Sequence, residues 1–435
     1  MDQTHETGAA LERRAFAKAT RRLIPLMMVL YIVSFLDRVN VGFAALTMNA
    51  DLGFSPEIFG WAAGVFFIGY FLFEVPSNLA LEKVGARIWI CRIMVTWGLI
   101  SAATAFVGDA TQFIVLRFLL GAAEAGFLPG MILYLGYWFP LSARAHYIAL
   151  FMAAVPIASA IGAPVSALIL DATHGTHGLA GWQWLFLIEG LPACALGLVV
   201  LALLPDGPQS ASWLTAEEKA AIAARLAADQ ADHAPVARHA LWPALRDARV
   251  LLLGLIYLGI VVGLYGVGLW LPQIIQSLGY TTREIGFILI VPYALSALAM
   301  IAFGRNSDRT GERILHVAGG ALLGAVGVLA SVYAGNQMLA IGAIAVACVG
   351  IYGALAPFWT VPPLFLQGTA AAAGIALINS IGNLGGFIGP YLVGWIKQTT
   401  GRFEAGFEVL AAILFLAALL TLVLGRALPR RTPGG

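Results

Sequence analysis

Apolar positions in this 435-residue chain come in long, nearly unbroken runs, without the alternation of strands or the heptads of coiled coils. Twelve runs stand out, at about 23–46, 57–80, 88–107, 112–137, 144–170, 183–204, 250–276, 284–303, 314–334, 338–361, 370–396 and 405–426. A helix crosses the hydrocarbon core of a bilayer with about 20 apolar residues, so the pattern predicts twelve transmembrane helices. Connections are short except at 205–249, which separates six runs from six. The organisation expected is a tail (1–22), a six-helix bundle (23–204), a linker (205–249), a second bundle (250–426) and a tail (427–435). Within the linker, Thr215-Ala-Glu-Glu218 has the capping-box pattern and opens a short amphipathic helix, expected on the cytoplasmic face.

Composition narrows the class. Apolar residues make up 60% of the chain and charged residues 11%, against about 25% charged in soluble domains. A chain this long with so little charge cannot coat several water-facing domains. A net charge of +2 gives no footprint for a nucleic acid. The three cysteines, Cys91, Cys194 and Cys348, are far apart in or beside apolar runs and read as buried apolar groups. Most Lys and Arg residues fall on one side: Arg13, Arg14, Lys18, Arg21 and Arg22 before the first run, then positions such as Lys83, Arg87, Arg144, Lys219, Arg249, Arg305 and Arg426. The other side has Arg283, Lys397 and Arg402. By the positive-inside rule both termini are cytoplasmic, in the plasma (inner) membrane.

Residues 78–87, NLALEKVGAR, repeat as GRNSDRTGER at 304–313. Glu82 aligns with Asp308, Lys83 with Arg309, Gly85 with Gly311 and Arg87 with Arg313, while Asn78 takes the place of Gly304. Each copy lies between the second and third runs of its half, the mark of a duplicated unit. The G-x-x-x-D-R-x-G-x-R loop, twelve spans and central linker resemble the major facilitator superfamily. FLDRVNVG (35–42), GYFLFEVPSN (69–78), RFLLGAAEAG (117–126), WQWLFLIEG (182–190) and GIALINSIGNLGG (374–386) are similar to the anion:cation symporter family, which carries tartrate, phthalate, galactonate and hexuronates. The resemblance implies two pseudo-symmetric six-helix bundles, all-α, working without a cofactor, as a monomer. It also implies that the two repeated loops act as conformational gates.

Ionisable groups inside a bilayer are costly and are candidates for function. They are concentrated in the first half: Asp37, Arg38, Glu74, Arg117, Glu124 and Glu189. The interiors of runs 7, 8, 10 and 11 have none. Arg117 and Glu124 are two turns apart on nearly one helix face, while the adjacent Asp37 and Arg38 must diverge. A fixed guanidinium matches a crossing carboxylate, and an acid beside it suits proton coupling. The resemblance gives the same roles, with Arg38 and Arg117 binding substrate and Asp37 and Glu124 carrying protons. The plainer alternative is an ion-pair network tying the first helix to the fourth. For Glu74, with Glu82 and Lys83 at its own helix end, a structural pairing is preferred, and for Glu189, before Gly190 and Pro192, a structural role.

Neutral candidates for substrate contact are Tyr70, Trp359, and Asn379 with Asn383, which share one helix face. Tyr257 and Tyr265 are weaker ones. His174 and His177 share a loop, but no ligand set joins them, so no metal is expected. The chain has no Gly-Lys dipeptide, hence no P-loop, and no HExxH or GxSxG motif, so no enzymatic signature appears. The reading is a secondary carrier that imports a small organic anion with protons by alternating access, a hydroxylated acid such as tartrate or a sugar acid leading. A phthalate-like aromatic carboxylate is second, and a sugar or multidrug carrier third. Run 7 has no basic residue, which argues against a phosphate-ester antiporter. The orientation is tested by cysteine labelling: a cysteine at Ala211 or Ala231 should react only with reagent on the cytoplasmic side, and labelling from outside alone would overturn the topology.

Overall fold

The computed structural model describes residues 2–152, 154–231, 246–366 and 368–427. The stretch 232–245 of the expected linker, with Arg238, and the tail 428–435 lie outside the described residues. Among the described residues, twelve helical spans are long and apolar enough to cross a membrane. They are Ala10–Asp51, Pro56–Val84, Ala86–Thr104, Ala110–Trp138, His146–Thr173, Gly181–Leu203, Ala248–Ser277, Thr282–Thr310, Ile314–Val332, Gln337–Leu364, Gly374–Thr400 and Phe403–Ala427, here spans 1 to 12. Each overlaps one run of the sequence. The largest departures are at charged ends: span 8 continues through Arg305 and Arg309, and the first helix begins at Asp2. Hydropathy measures the apolar length, whereas a helix continues in water for as long as its backbone bonds and side-chain pairs hold.

Packing repeats across the two halves. Span 1 lies on spans 5 and 6 as span 7 lies on 11 and 12; spans 2 and 4 pair as 8 and 10 do; spans 3 and 6 pair as 9 and 12 do. Between halves, span 2 packs on 11 and span 5 on 8, related by the same exchange. Large apolar side chains such as Val75, Leu298, Leu315 and Met338 remain exposed on the surface, as a lipid-facing belt requires.

The halves meet at the end away from the chain termini. There Gln276 donates to the Leu46 carbonyl (3.3 Å), and the Phe59 and Trp270 rings meet edge to face at 4.8 Å. Gly60 faces the Pro390 carbonyl so closely that a Cβ would overlap it. Toward the terminal end, the segments Phe127–Trp138 and Leu141–Met152 pack mainly within the first half.

Both repeated loops turn on a glycine of positive φ, Gly85 (97°) and Gly311 (70°). In the second copy Arg313 pairs with Asp308 at 2.5 Å and reaches Ser307 at 3.1 Å. In the first, the Arg87 amide donates to Asp206 at 3.0 Å. The linker helix, Ala216–Ala231, forms the expected capping box: the Glu218 amide donates to Thr215 Oγ1 (3.2 Å), and Glu218 Oε2 accepts from the Thr215 amide (3.0 Å). Glu218 is buried and also meets Lys18 (2.7 Å) and Arg14 (3.1 Å) of the first helix. Lys18 above all, with the Thr215 amide, holds its carboxyl below the usual range. The Trp213 ring stacks on Trp138 at 5.4 Å beneath Arg22. The linker is therefore fastened to the first half. Ala211 is buried in that contact, so the exposed Ala220 is the better labelling position.

Span 4 is not the continuous helix its hydropathy suggests. It breaks between Ala110–Glu124 and Phe127–Trp138, at Ala125 (ψ 135°) and Gly126 (φ 83°, ψ −2°). Pro129 lacks the amide that would bond back to Ala125, and Gly126 supplies the left-handed turn. A Cβ on Gly126 would also overlap the Ser77 side chain. Gly53, with φ 66°, has open space around it. Gly53→Ala should therefore lose only the backbone term, about 1–2 kcal/mol, whereas Gly126→Ala should lose more. The check is the melting temperature of both variants in detergent, with Gly126→Ala the lower; the reverse order would contradict the steric account.

Candidate functional site

Span 1 runs unbroken through the middle of the first half and buries Ser34, Asp37, Arg38 and Asn40, each no more than 9% exposed. Successive side chains of a helix point about 100° apart, so Asp37 and Arg38 serve different neighbours. Arg38 turns to span 4, where its Nη2 meets Glu124 Oε1 at 2.7 Å; Ser34, one turn earlier, donates to the same oxygen at 2.6 Å. Asp37 turns to span 3: its Oδ1 accepts from Ser101 Oγ and from Asn40 Nδ2, the latter at 3.1 Å. Neither Ser34 nor Ser101 stands out in the sequence. Ser34 was legible only as the residue four before Arg38.

Arg117 is the outlier. It is 1% exposed, yet none of its three guanidinium nitrogens has a hydrogen-bond partner among the described residues. Its guanidinium carbon lies 5.0 Å from the Phe66 ring centre, and that of Arg38 lies 5.5 Å from the same ring. Cation–π attraction is worth about 0.5–2 kcal/mol, less than the several kcal/mol lost by taking a cation out of water. The nearby charges of Asp37 and Glu124 offset part of that cost, while Arg38 adds to it. Arg117 and Glu124 thus share a span without sharing a hydrogen bond: Glu124 is taken by Arg38. What results is a guanidinium fork held in place with its donors free.

The remaining wall joins the two halves. Arg38 lies over the Tyr70 ring at 5.2 Å; Tyr70 is 6% exposed. One turn along span 2, Glu74 accepts from Asn379 Nδ2 of span 11 at 3.4 Å, with Asn383 alongside. Tyr257 of span 7 packs on Gly382, between the two asparagines, and its ring meets Trp359 edge to face at 4.9 Å and stacks on Phe358 at 5.0 Å. Tyr265 meets Phe67 at 4.4 Å. The path Arg38, Tyr70, Glu74, Asn379, Tyr257, Trp359 is therefore a continuous series of polar groups and rings, with its one cation, Arg38, in the first half. Glu74 faces this surface across the halves, and not Lys83 at its own helix end.

Away from this surface, Glu189 of span 6 is buried and accepts from Ser166 Oγ of span 5 at 2.7 Å. His174 accepts from the Gly181 amide (3.3 Å), and no cluster of three metal-ligating side chains occurs among the described residues.

The geometry can hold an anion among buried donors, and the comparisons agree with a transport role. The profile of the Major Facilitator Superfamily matches residues 27–390. A protein of Agrobacterium vitis, provisionally named a tartrate transporter, is 53% identical over 97% of this chain and 93% of its own length. A quinolone resistance transporter of Acinetobacter baumannii is 41% identical, covering 97% of each chain. Among solved structures, a bacterial homologue of the human lysosomal transporter Spinster, in an inward-facing and occupied conformation, superposes with a TM-score of 0.79 over 95% of this chain and 98% of its own, at 14% identity. The chain is a multi-pass membrane transporter, not an enzyme, and it belongs to the major facilitator superfamily.

Proposed function

We propose that this carrier imports a small organic carboxylate together with protons, by alternating access of its two halves, with both termini cytoplasmic in the plasma membrane. The observation that carries the reading is Arg117, a buried cation whose donors have no partner among the described residues. A carboxylate supplies two acceptors in the plane that a guanidinium presents. A hydroxylated acid such as tartrate leads, because Tyr70, Asn379 and Asn383 offer hydroxyl partners, and the relative from Agrobacterium vitis bears a tartrate name. An aromatic carboxylate is the second reading. It is favoured by the Tyr257, Phe358 and Trp359 rings and by the quinolone resistance relative.

Coupling follows from competition. Arg38 is bound to Glu124 at 2.7 Å. A substrate carboxylate arriving between Arg117 and Arg38 contests that pair. Glu124, losing its cation in a buried place, takes a proton, because an unpaired carboxylate is disfavoured there. Substrate and proton then leave the site neutralised, which lowers the cost of rocking the halves through an occluded state. The repeated loops at Gly85 and Gly311 would open and close the terminal end. An acidic exterior drives the cycle inward, since it loads Glu124 on the side where substrate is captured.

Two outcomes test this. Arg38→Lys and Arg117→Lys keep the charge but lose the fork. Each should weaken substrate binding about tenfold to a hundredfold, the loss of about 1.5–3 kcal/mol of charged hydrogen bonding, at near wild-type expression. Undiminished binding and uptake in both would remove the assignment. Separately, Glu124→Gln fixes the protonated form. In proteoliposomes it should retain counterflow while losing accumulation driven by an imposed pH gradient; Asp37→Asn should do the same, or lose both if Asp37 mainly positions its neighbours. Gradient-driven accumulation in both neutral variants would exclude these acids as the obligatory proton site. Parallel uptake of tartrate, galactonate and phthalate separates the two substrate readings.

A further inference from the structure

Behind the Arg38–Glu124 pair lies a second buried polar cluster, of which the reading above uses only Asp37. Glycine brings its elements together. Gly98 of span 3 faces the Gly190 carbonyl of span 6 closely enough to exclude a Cβ, and Gly190 in turn faces Ser101. This close approach sets Glu189, on span 6, beside Asp37 and Asn40 of span 1. Asp37, Asn40 and Glu189 are 2%, 0% and 6% exposed.

The cluster has an unequal set of donors and acceptors. Asp37 Oδ1 accepts from Ser101 and from Asn40 Nδ2, and Glu189 Oε1 accepts from Ser166. Among the described residues, three acceptor oxygens of the cluster remain without a donor: Asp37 Oδ2, Asn40 Oδ1 and Glu189 Oε2. The other charged or titratable groups around the cluster are Arg117 and Glu124 of span 4, Arg38 of span 1 and Cys194 of span 6. None of them hydrogen-bonds to either carboxyl among the described residues: Arg38 and Glu124 hold each other, and the Cys194 thiol donates to the Val95 carbonyl. Two buried carboxylates on either side of one amide, with no cation bound to either among the described residues, cannot both stay charged cheaply.

A single proton resolves two of the three. Placed on Glu189 Oε2, it makes that atom a donor to Asn40 Oδ1, while Asn40 Nδ2 continues to donate to a charged Asp37. Two orphaned atoms are satisfied at once. An amide suits this place because its two ends are different, one serving a protonated acid and the other a carboxylate. We infer that Glu189 is a second proton-carrying acid of this transporter, protonated while Asp37 is charged and joined to it through Asn40.

The inference rests on the proton-symport reading, and the experiment separates the two. Infrared spectra of the purified, substrate-free carrier should show a protonated-carboxyl stretch that disappears in Glu189→Gln and persists in Glu124→Gln. In proteoliposomes the proton-to-substrate ratio, measured from the equilibrium accumulation at imposed pH gradients, should be one proton lower in Glu189→Gln than in wild type, with counterflow retained. A spectrum unchanged by Glu189→Gln overturns the assignment of the proton. A lost band with an unchanged ratio makes Glu189 a permanently neutral structural acid and overturns the carrying role. If Glu189→Gln does not fold, Asn40→Leu, which removes both ends of the link, should shift the same band; an unshifted band overturns the inference. Wild-type uptake indifferent to any pH gradient, with the Glu189 band present, would instead remove the proton-symport reading itself.

Discussion

A guanidinium inside a bilayer protein must be stabilised from within, and the first half is arranged around two of them. Arg38 has a carboxylate at 2.7 Å and an aromatic face; Arg117 has an aromatic face and the field of acids it does not touch. The pair Arg38–Glu124 fixes how span 1 is turned against span 4, and so where Asp37 and Asn40 point. Phe66 must lie under both cations, which fixes span 2 and, with it, Tyr70 and Glu74. Glu74 then reaches across to Asn379. Orientation of the charged site and contact between the halves are thus one problem with one solution.

The asymmetry of the halves has a physical basis. The first half carries the charge, and small residues with hydroxyls satisfy it: Ser34, Ser101 and Ser166 each donate to a buried carboxylate. The second half supplies rings and amides. Neutral groups need no counter-charge as they move, so a charged half and a neutral half can separate without breaking an ion pair between them. Among the described residues, the one buried ion pair in the membrane region, Arg38–Glu124, lies within the first half.

The twelve spans were legible because burial in lipid demands apolar runs of one length, and the repeat was legible because the turn chemistry at Gly85 and Gly311 recurs. The break in span 4 was missed: hydropathy averages over Gly126 and Pro129, although Gly126-x-x-Pro129 is itself a turn signal. Spacing also placed Arg117 and Glu124 on one face, but it could not say which partner Glu124 takes. That depends on how neighbouring helices are rotated, which packing decides. Asn40 and Ser101 were invisible for the same reason, since a polar residue in an apolar run gains its meaning from what lies across from it.

The first helix runs from Asp2 to Asp51, 50 residues without interruption. At 1.5 Å per residue it is about 75 Å long, against about 30 Å of hydrocarbon. Its start is braced by the linker helix through Glu218, Arg14 and Lys18. Pro25 removes one backbone bond between that brace and Asp37, yet the helix stays continuous, so it can act as a lever arm with its fulcrum near Asp37. A tilt of about 10° at the fulcrum would sweep the far tip by about 9 Å, given a rise of 1.5 Å per residue over the 35 residues between. A label near the tip would therefore read, from solution, motions that begin at a buried carboxylate.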